Sequence, residues 1–283
     1  MKNKNNGFLS LFLAALLWST GGFGSKFIPW NPVSIAAVRG IFATLVLFIL
    51  RRKKKIIFTK SSVIAGVCVF LTTLLFMFAN KMTSAANAIV FQYAAPIYVL
   101  LGVMISQRKK PKLLDAVTIL LTFSGIVLFF LDHLGSGALV GDILAILSGI
   151  TFSGVFFFNK KPDASPEDSN IIGCGLSLLL IPVLFLDTAV ISSGITPWIA
   201  AILMGTLQLG LAYFFFGKGI KVTNSVTASI ICIIEPILNP IWVFLLLGEK
   251  PGALSILGAA IVILAVSFNS IYPQFRTPIT AEK

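Results

Sequence analysis

Apolar runs long enough to cross a bilayer follow one another along this chain, separated by polar breaks of only a few residues. A spanning helix needs about 20 mostly apolar residues. Ten such runs are read, at approximately 8–28, 33–50, 62–80, 84–106, 113–131, 139–158, 170–190, 196–217, 223–247 and 252–272. Within 283 residues they leave room for little but short loops. Disorder is excluded, because low hydrophobicity is what keeps chains unfolded. A soluble enzyme is excluded as well. Charged residues make up 11% of the chain, against about 25% in soluble domains, and the mean hydropathy is +0.97. The expectation is an all-α integral membrane protein with ten transmembrane helices.

The first run follows a basic start, Met1-Lys2-Asn3-Lys4, as the core of a signal peptide would. Its length, the lack of a clear A-x-A site and the nine runs that follow argue against cleavage. The net charge of +12 would suggest nucleic acid in a soluble chain. Here it reads as the basic bias of cytoplasmic loops. With the N-terminus inside, 18 Lys and Arg fall in inner segments and three (Lys26, Lys81 and Lys250) in outer ones. Both termini are therefore expected in the cytoplasm. Cys68, Cys174 and Cys232 all lie within apolar runs, so neither a disulfide framework nor a zinc site is supported. His133, beside Asp132 in an outer loop, has no metal-binding company.

The chain repeats itself. Shifted by 140 positions, Thr83–Pro111 lies without a gap on Thr223–Pro251, and seven of the 29 pairs are identical. These are runs 4 and 9, so the repeat unit is five spans. An odd unit sends the second copy through the membrane in the opposite sense, giving two inverted-topology five-helix repeats around a central cavity. Residues 1–158 then hold repeat 1, about 8–131, plus the helix that opens repeat 2, about 139–272. A polar cytoplasmic loop is expected over 159–170.

Runs 4 and 9 also carry the unusual residues. Pro96 and Pro236 sit near their middles. A mid-helix proline removes an N–H and clashes with the carbonyl four residues earlier. Helices broken at matching points of two repeats point to a central site, although a plain packing kink has the same sequence. Glu235 is the carboxylate in the middle of a run, where a charge is costly. It suits a proton-coupling site, a counter-ion for a cationic substrate group, or a structural hydrogen bond to a neighbouring helix. One face of run 9 aligns Thr227, Ile231, Glu235, Asn239 and Trp242; the matching face of run 4 aligns Asn87, Phe91, Ala95 and Tyr98. Such stripes suit a cavity that stacks and hydrogen-bonds a small molecule, or ordinary packing with polar glue. Gln208 and Tyr213 of run 8, Trp18 of run 1 and Arg39 of run 2 are further candidates for the lining. Arg39 and Lys26 could instead snorkel to headgroups. No GxSxG, HExxH or Walker loop is present, so an enzyme is not expected.

These residues together resemble the drug/metabolite transporter superfamily, specifically the EamA-type carriers with ten spans. The resemblance covers essentially the whole length. It rests on Leu17-Trp18-Ser19 with Lys26, on Arg39, on the Thr-x4-Ala-x7-Pro pattern of run 4, and above all on Glu235-Pro236 followed by Leu247-Gly248-Glu249-Lys250-Pro251. One departure is Gln107-Arg108-Lys109, where the family often has Gly-Glu before the basic residue. The resemblance implies a cavity lined by spans 1, 3, 4, 6, 8 and 9, and movement of amino acids or related metabolites without ATP. The expectation is a secondary transporter of the bacterial inner membrane, working by alternating access on a small polar metabolite. It would be a monomer in the lipid bilayer, without cofactor, metal or nucleic acid, and with proton coupling through Glu235 as one reading. A lipid or lipid-linked carrier, or a membrane-embedded enzyme, is the alternative.

Overall fold

A computed structural model describes residues 2–51, 55–95, 97–98, 113–132, 138–159, 161–223, 231–232, 234–248, 250 and 252–276. Every regular element among them is helical. In order they are α1 (Lys2–Trp18), α2 (Gly21–Lys26), α3 (Pro32–Leu50), α4 (Lys60–Met82), α5 (Ala85–Gln92), α6 (Leu113–Asp132) and α7 (Leu139–Asn159). There follow α8 (Pro166–Leu176), a 3-10 turn (Ser177–Leu180), α9 (Ile181–Leu184), α10 (Thr188–Ser192) and α11 (Ile195–Leu203). A π-helical stretch (Met204–Leu211), α12 (Ala212–Val222), α13 (Ile234–Leu247) and α14 (Ala253–Arg276) complete the chain. Among the described residues, six stretches are long and apolar enough to cross a membrane: Gly7–Lys26, Pro32–Leu50, Lys60–Met82, Leu139–Asn159, Pro166–Leu184 and Ile195–Val222. The 23 residues of α4, at 1.5 Å each, exceed the roughly 30 Å hydrocarbon core.

Local chemistry sets where the helices begin. Asn31 caps α3 by accepting the Ser34 N–H at 2.9 Å, with Pro32 as the first helical residue. Thr59 caps α4 through Ser62 N–H at 3.1 Å, and Ser84 caps α5 through Asn87 N–H at 3.1 Å. Pro166 opens α8, with Glu167 and Asp168 in the first turn where the helix dipole favours them. The polar loop expected over 159–170 is therefore shorter, because its last five residues already belong to that helix. Run 1 is not one continuous helix: it breaks at Ser19-Thr20, where the two hydroxyls bond back to Leu16 O and Leu17 O, each at 2.7 Å. Run 7 passes from α8 through the 3-10 turn into α9 and ends before Asp187, which caps α10.

The packing follows a pattern of exchanged pairs. α4 lies against α7 as α12 lies against α1, and α4 lies against α8 as the π-helical stretch lies against α3. α5 meets α7, while α13 meets α1 and α2; α6 packs on α14, and α3 also meets α8. Close approach needs small residues. A Cβ on Gly205 would fall 2.8 Å from the Arg39 carbonyl oxygen and 2.7 Å from Phe42 Cβ, so α3 and the π-helical stretch touch backbone to backbone. The core runs through the bundle centre and includes Trp18, Phe76, Phe91, Phe152, Leu209, Tyr213 and Phe216.

Candidate functional site

At the centre of the bundle a small chamber is lined by Trp18, Arg39, Thr72, Thr73, Phe76, Gln92, Phe152, Gln208, Leu209, Tyr213 and Glu235. Its volume is about 30 Å³. That is room for a water or two, since one water needs roughly 10–15 Å³ by this measure. The lining comes from runs 1, 3, 4, 6, 8 and 9, with Arg39 added from run 2.

Two polar centres face this chamber. In one, Arg39 Nη2 donates to Gln208 Oε1 at 2.7 Å, and Gln208 Nε2 donates to the Trp18 carbonyl at 3.3 Å. Gln208 sits in the π-helical stretch, a rare geometry that is frequent at functional sites. The close contact at Gly205 fixes the distance between its helix and Arg39. In the other centre, the Tyr93 hydroxyl donates to Glu235 Oε2. Arg39 is 2% exposed and Glu235 is 5% exposed. The remaining polar groups are hydrogen-bonded below: Ser148 Oγ donates to Gln92 Oε1 at 3.3 Å and to Thr72 O at 3.1 Å, and Thr72 Oγ1 donates to Thr151 Oγ1 at 2.9 Å. Above the aromatic floor, Trp18 packs edge-on against Tyr213, ring centres 5.2 Å apart, and against Phe152 at 6.5 Å.

The residues singled out in the sequence fall into three groups. Trp18, Arg39, Gln208, Tyr213 and Glu235 meet at the chamber. Asn239 and Trp242, on α13, lie against the broken first run. Asn239 is fully buried opposite Gly22, with neither side-chain atom bonded among the described residues. Trp242 Nε1 donates to Ser19 Oγ at 3.0 Å. The stripe of run 4 does not line the chamber. Asn87 Nδ2 instead bonds Asp142 Oδ1 at 3.1 Å, which also accepts from Thr83 Oγ1 at 2.6 Å. Phe91 is fully buried, and the Tyr98 ring lies against Gly149 of α7. α5 turns this face to α7, so Gln92, about 100° further round, lines the chamber, and Tyr93 is linked to it through its bond to Glu235. Lys26 Nζ donates to Thr83 O at 3.3 Å, holding a loop junction. Thr227, Pro96 and His133 lie outside the described residues. Pro236 is buried within the first turn of α13.

Sequence reasoning missed Tyr93, Gln92, Phe76, Phe152 and the Thr72-Thr73 pair. The threonines carried a signal, two adjacent hydroxyls inside an apolar run. Tyr93 carried none, being off the stripe that marked its helix.

Toward both ends of the bundle, polar and aromatic contacts tie the helices together. At one end Arg51 pairs with Asp168 at 2.8 Å with both side chains buried, and Lys221 pairs with Glu167 at 2.6 Å. A pocket of about 80 Å³ there is lined by Leu47, Leu50, Arg51, Glu167, Ile171, Tyr213, Phe214 and Lys218, so Tyr213 separates it from the chamber. At the other end Lys81 Nζ donates to Ile28 O at 2.5 Å, Asn31 N to Asp187 Oδ2 at 3.1 Å, and Trp30 packs on Trp198 with ring centres 4.8 Å apart. Among the described residues no three His, Cys, Asp or Glu side chains are grouped to hold a metal ion.

A bundle of apolar, membrane-length helices around a buried chamber with charged walls defines a multi-pass membrane protein. A family model places it further, matching residues 5–131 and again 139–271. The chain belongs to the EamA-like transporter family, within the drug/metabolite transporter superfamily. It is 25% identical to an uncharacterized transporter of Archaeoglobus fulgidus over 92% of this chain and 94% of that one. It is also 25% identical to YicL, an uncharacterized inner membrane transporter of Salmonella typhimurium, over 98% and 99%. A solved crystal structure at 16% identity superimposes with a TM-score of 0.65, covering 97% of this chain and 100% of the other, and so shares the fold.

Proposed function

We propose that this chain is a secondary transporter of the bacterial inner membrane that carries a small polar metabolite, an amino acid or a related compound, by alternating access. The observation that carries this reading is a central chamber bearing two buried, oppositely charged residue types, Arg39 and Glu235. Binding clefts for small molecules usually measure about 300–1,000 Å³. A chamber of about 30 Å³ is smaller than such a cleft, and this scheme requires it to widen and to open to either side in turn.

The exchanged helix pairs support two inverted five-helix repeats, ten spans in all, whose rocking would expose the chamber alternately. In this scheme Trp18, Arg39, Gln208 and Glu235 contact the substrate, and Asn239 and Trp242 hold the broken first run beside it. The basic bias of the loops places both termini in the cytoplasm. The protein works as a monomer, and Glu235 is the group that takes and releases a proton.

The test is solute counterflow. Purified protein is reconstituted into liposomes loaded with millimolar unlabelled amino acids, singly and in pools, and uptake of tracer quantities of the labelled compound is followed. Transient accumulation above equilibrium, absent from empty liposomes, is expected for at least one compound. Failure of every amino acid and related metabolite to exchange would refute the substrate class. Reporter fusions near Lys4 and Lys283 should both read cytoplasmic; a C-terminal reporter on the outer side would sink the ten-span arrangement.

A further inference from the structure

Among the described residues, the guanidinium that lines the chamber has no counter-ion within salt-bridge distance. Arg39 is buried, and its single hydrogen bond goes from Nη2 to the neutral amide oxygen of Gln208. Nε and Nη1, both buried, meet no acceptor among the described residues. Glu235 lines the same chamber, but its carboxylate is engaged by the Tyr93 hydroxyl. A buried charge left unpaired costs several kcal/mol, and buried donors normally have acceptors. This arginine is also held in place: Gln208 is anchored on the Trp18 carbonyl, and Gly205 sets the spacing of the two helices. A fixed, desolvated cation on a chamber wall, with two N–H donors unmet among the described residues, is a receptor for an oxyanion.

The rest of the lining narrows the anion. Among the described residues no second cationic side chain lines the chamber, and an acidic one does. A doubly charged phosphate would face one guanidinium and one acidic residue. A carboxylate, with a single charge, balances Arg39 alone. The other walls are Trp18, Phe76, Phe152, Leu209 and Tyr213, which favour an apolar body. We infer that Arg39, positioned by Gln208, binds the carboxylate of the transported molecule, whose apolar portion lies along this aromatic wall. The inference rests on the transporter reading and names the chemical class that the site selects.

The experiment measures thermal unfolding of the purified full-length protein in detergent with matched probes. These are 3-phenylpropionate and L-phenylalanine, against phenethylamine, L-phenylalaninamide and inorganic phosphate. The two acids should raise the unfolding midpoint in a concentration-dependent way, because ligands of the native state stabilise it; the amine, the amide and phosphate should not. Gln208→Glu places a carboxylate against the guanidinium. It should raise the midpoint of the ligand-free protein and weaken both acids at least tenfold. Arg39→Lys keeps the charge while losing the planar donor array, and should also weaken the acids. A merely structural Arg39 would give neither the acid selectivity nor its loss in Gln208→Glu. Equal shifts with the amine or the amide, a shift with phosphate alone, no shift with either acid, or unchanged acid affinity in Gln208→Glu would each overturn the inference. Acids that bind this way without exchanging in liposomes would refute the transporter reading and leave the carboxylate site standing. Exchange of amines or amides that is indifferent to Arg39 would do the reverse.

Discussion

Gly205→Ala probes the contact on which the Arg39–Gln208 pair depends. The added Cβ would lie 2.8 Å from Arg39 O, 3.1 Å from Arg39 Cα and 2.7 Å from Phe42 Cβ. Two of these atoms are backbone, so no rotamer change relieves the clash. To restore ordinary van der Waals distances, α3 and the π-helical stretch must separate by about half an ångström along their contact. Overpacking of this kind costs about 1–3 kcal/mol, against a gain of up to about 1 kcal/mol from replacing a helical glycine by alanine. Gly175→Ala is the matched control, because its Cβ would meet only Thr44 Cγ2, at 4.0 Å. Thermal unfolding in detergent should show Gly205→Ala lowered and Gly175→Ala unchanged or raised. Separation of the helices also stretches the 2.7 Å bond from Arg39 to Gln208, so ligand binding should weaken more than the loss of stability alone explains. A Gly205→Ala protein as stable as its control would refute the backbone contact and the positioning argument built on it.

Three further outcomes are expected. Asp168→Ala leaves the Arg51 guanidinium buried without its partner, which costs about 3–5 kcal/mol, whereas Arg51→Met with Asp168→Leu should recover most of the loss; equal instability of the single and double variants would show the pair is not coupled. Glu235→Gln keeps the shape that accepts the Tyr93 hydroxyl but cannot ionise; in liposomes, proton-driven uptake should fall sharply while exchange persists, and unchanged uptake with unchanged pH dependence would make the residue structural. Trp242→Phe removes the bond to Ser19 and should destabilise by about 1 kcal/mol, read as a lower unfolding midpoint, with Ser19→Ala no additional loss when combined.

The membrane class and its repeat were legible because they rest on composition and period, which need no knowledge of neighbours. Glu235, Arg39 and Trp18 were legible for a related reason: a charge or an indole inside an apolar run is expensive enough to demand a purpose. Which residues share a cavity was harder to read. The stripe Asn87–Phe91–Tyr98 is helically regular, yet α5 turns it toward α7, and the orientation is decided by a contact with a segment some 50 residues away. The π-helical stretch left no mark in the sequence Met204-Gly-Thr-Leu-Gln-Leu-Gly-Leu211, although it sets the direction of Gln208. The break in run 1 was masked in the same way: Ser19 and Thr20 look like ordinary helix residues until their hydroxyls are seen to take the carbonyls three positions back.

The small size of the central chamber has a pharmacological consequence. A chamber that holds a water or two cannot receive any solute without first dilating, so free energy spent on dilation is subtracted from every binding constant measured on the closed protein. On the proposed alternating-access scheme, cargo should therefore bind weakly and leave quickly. A rigid compound with the same carboxylate but a body too bulky to be enclosed would meet no such demand to close again. It would hold the two halves apart, and it should outlast the cargo in its site while never crossing the membrane. Blockers of this protein are thus to be sought among oversized relatives of its cargo rather than among close mimics.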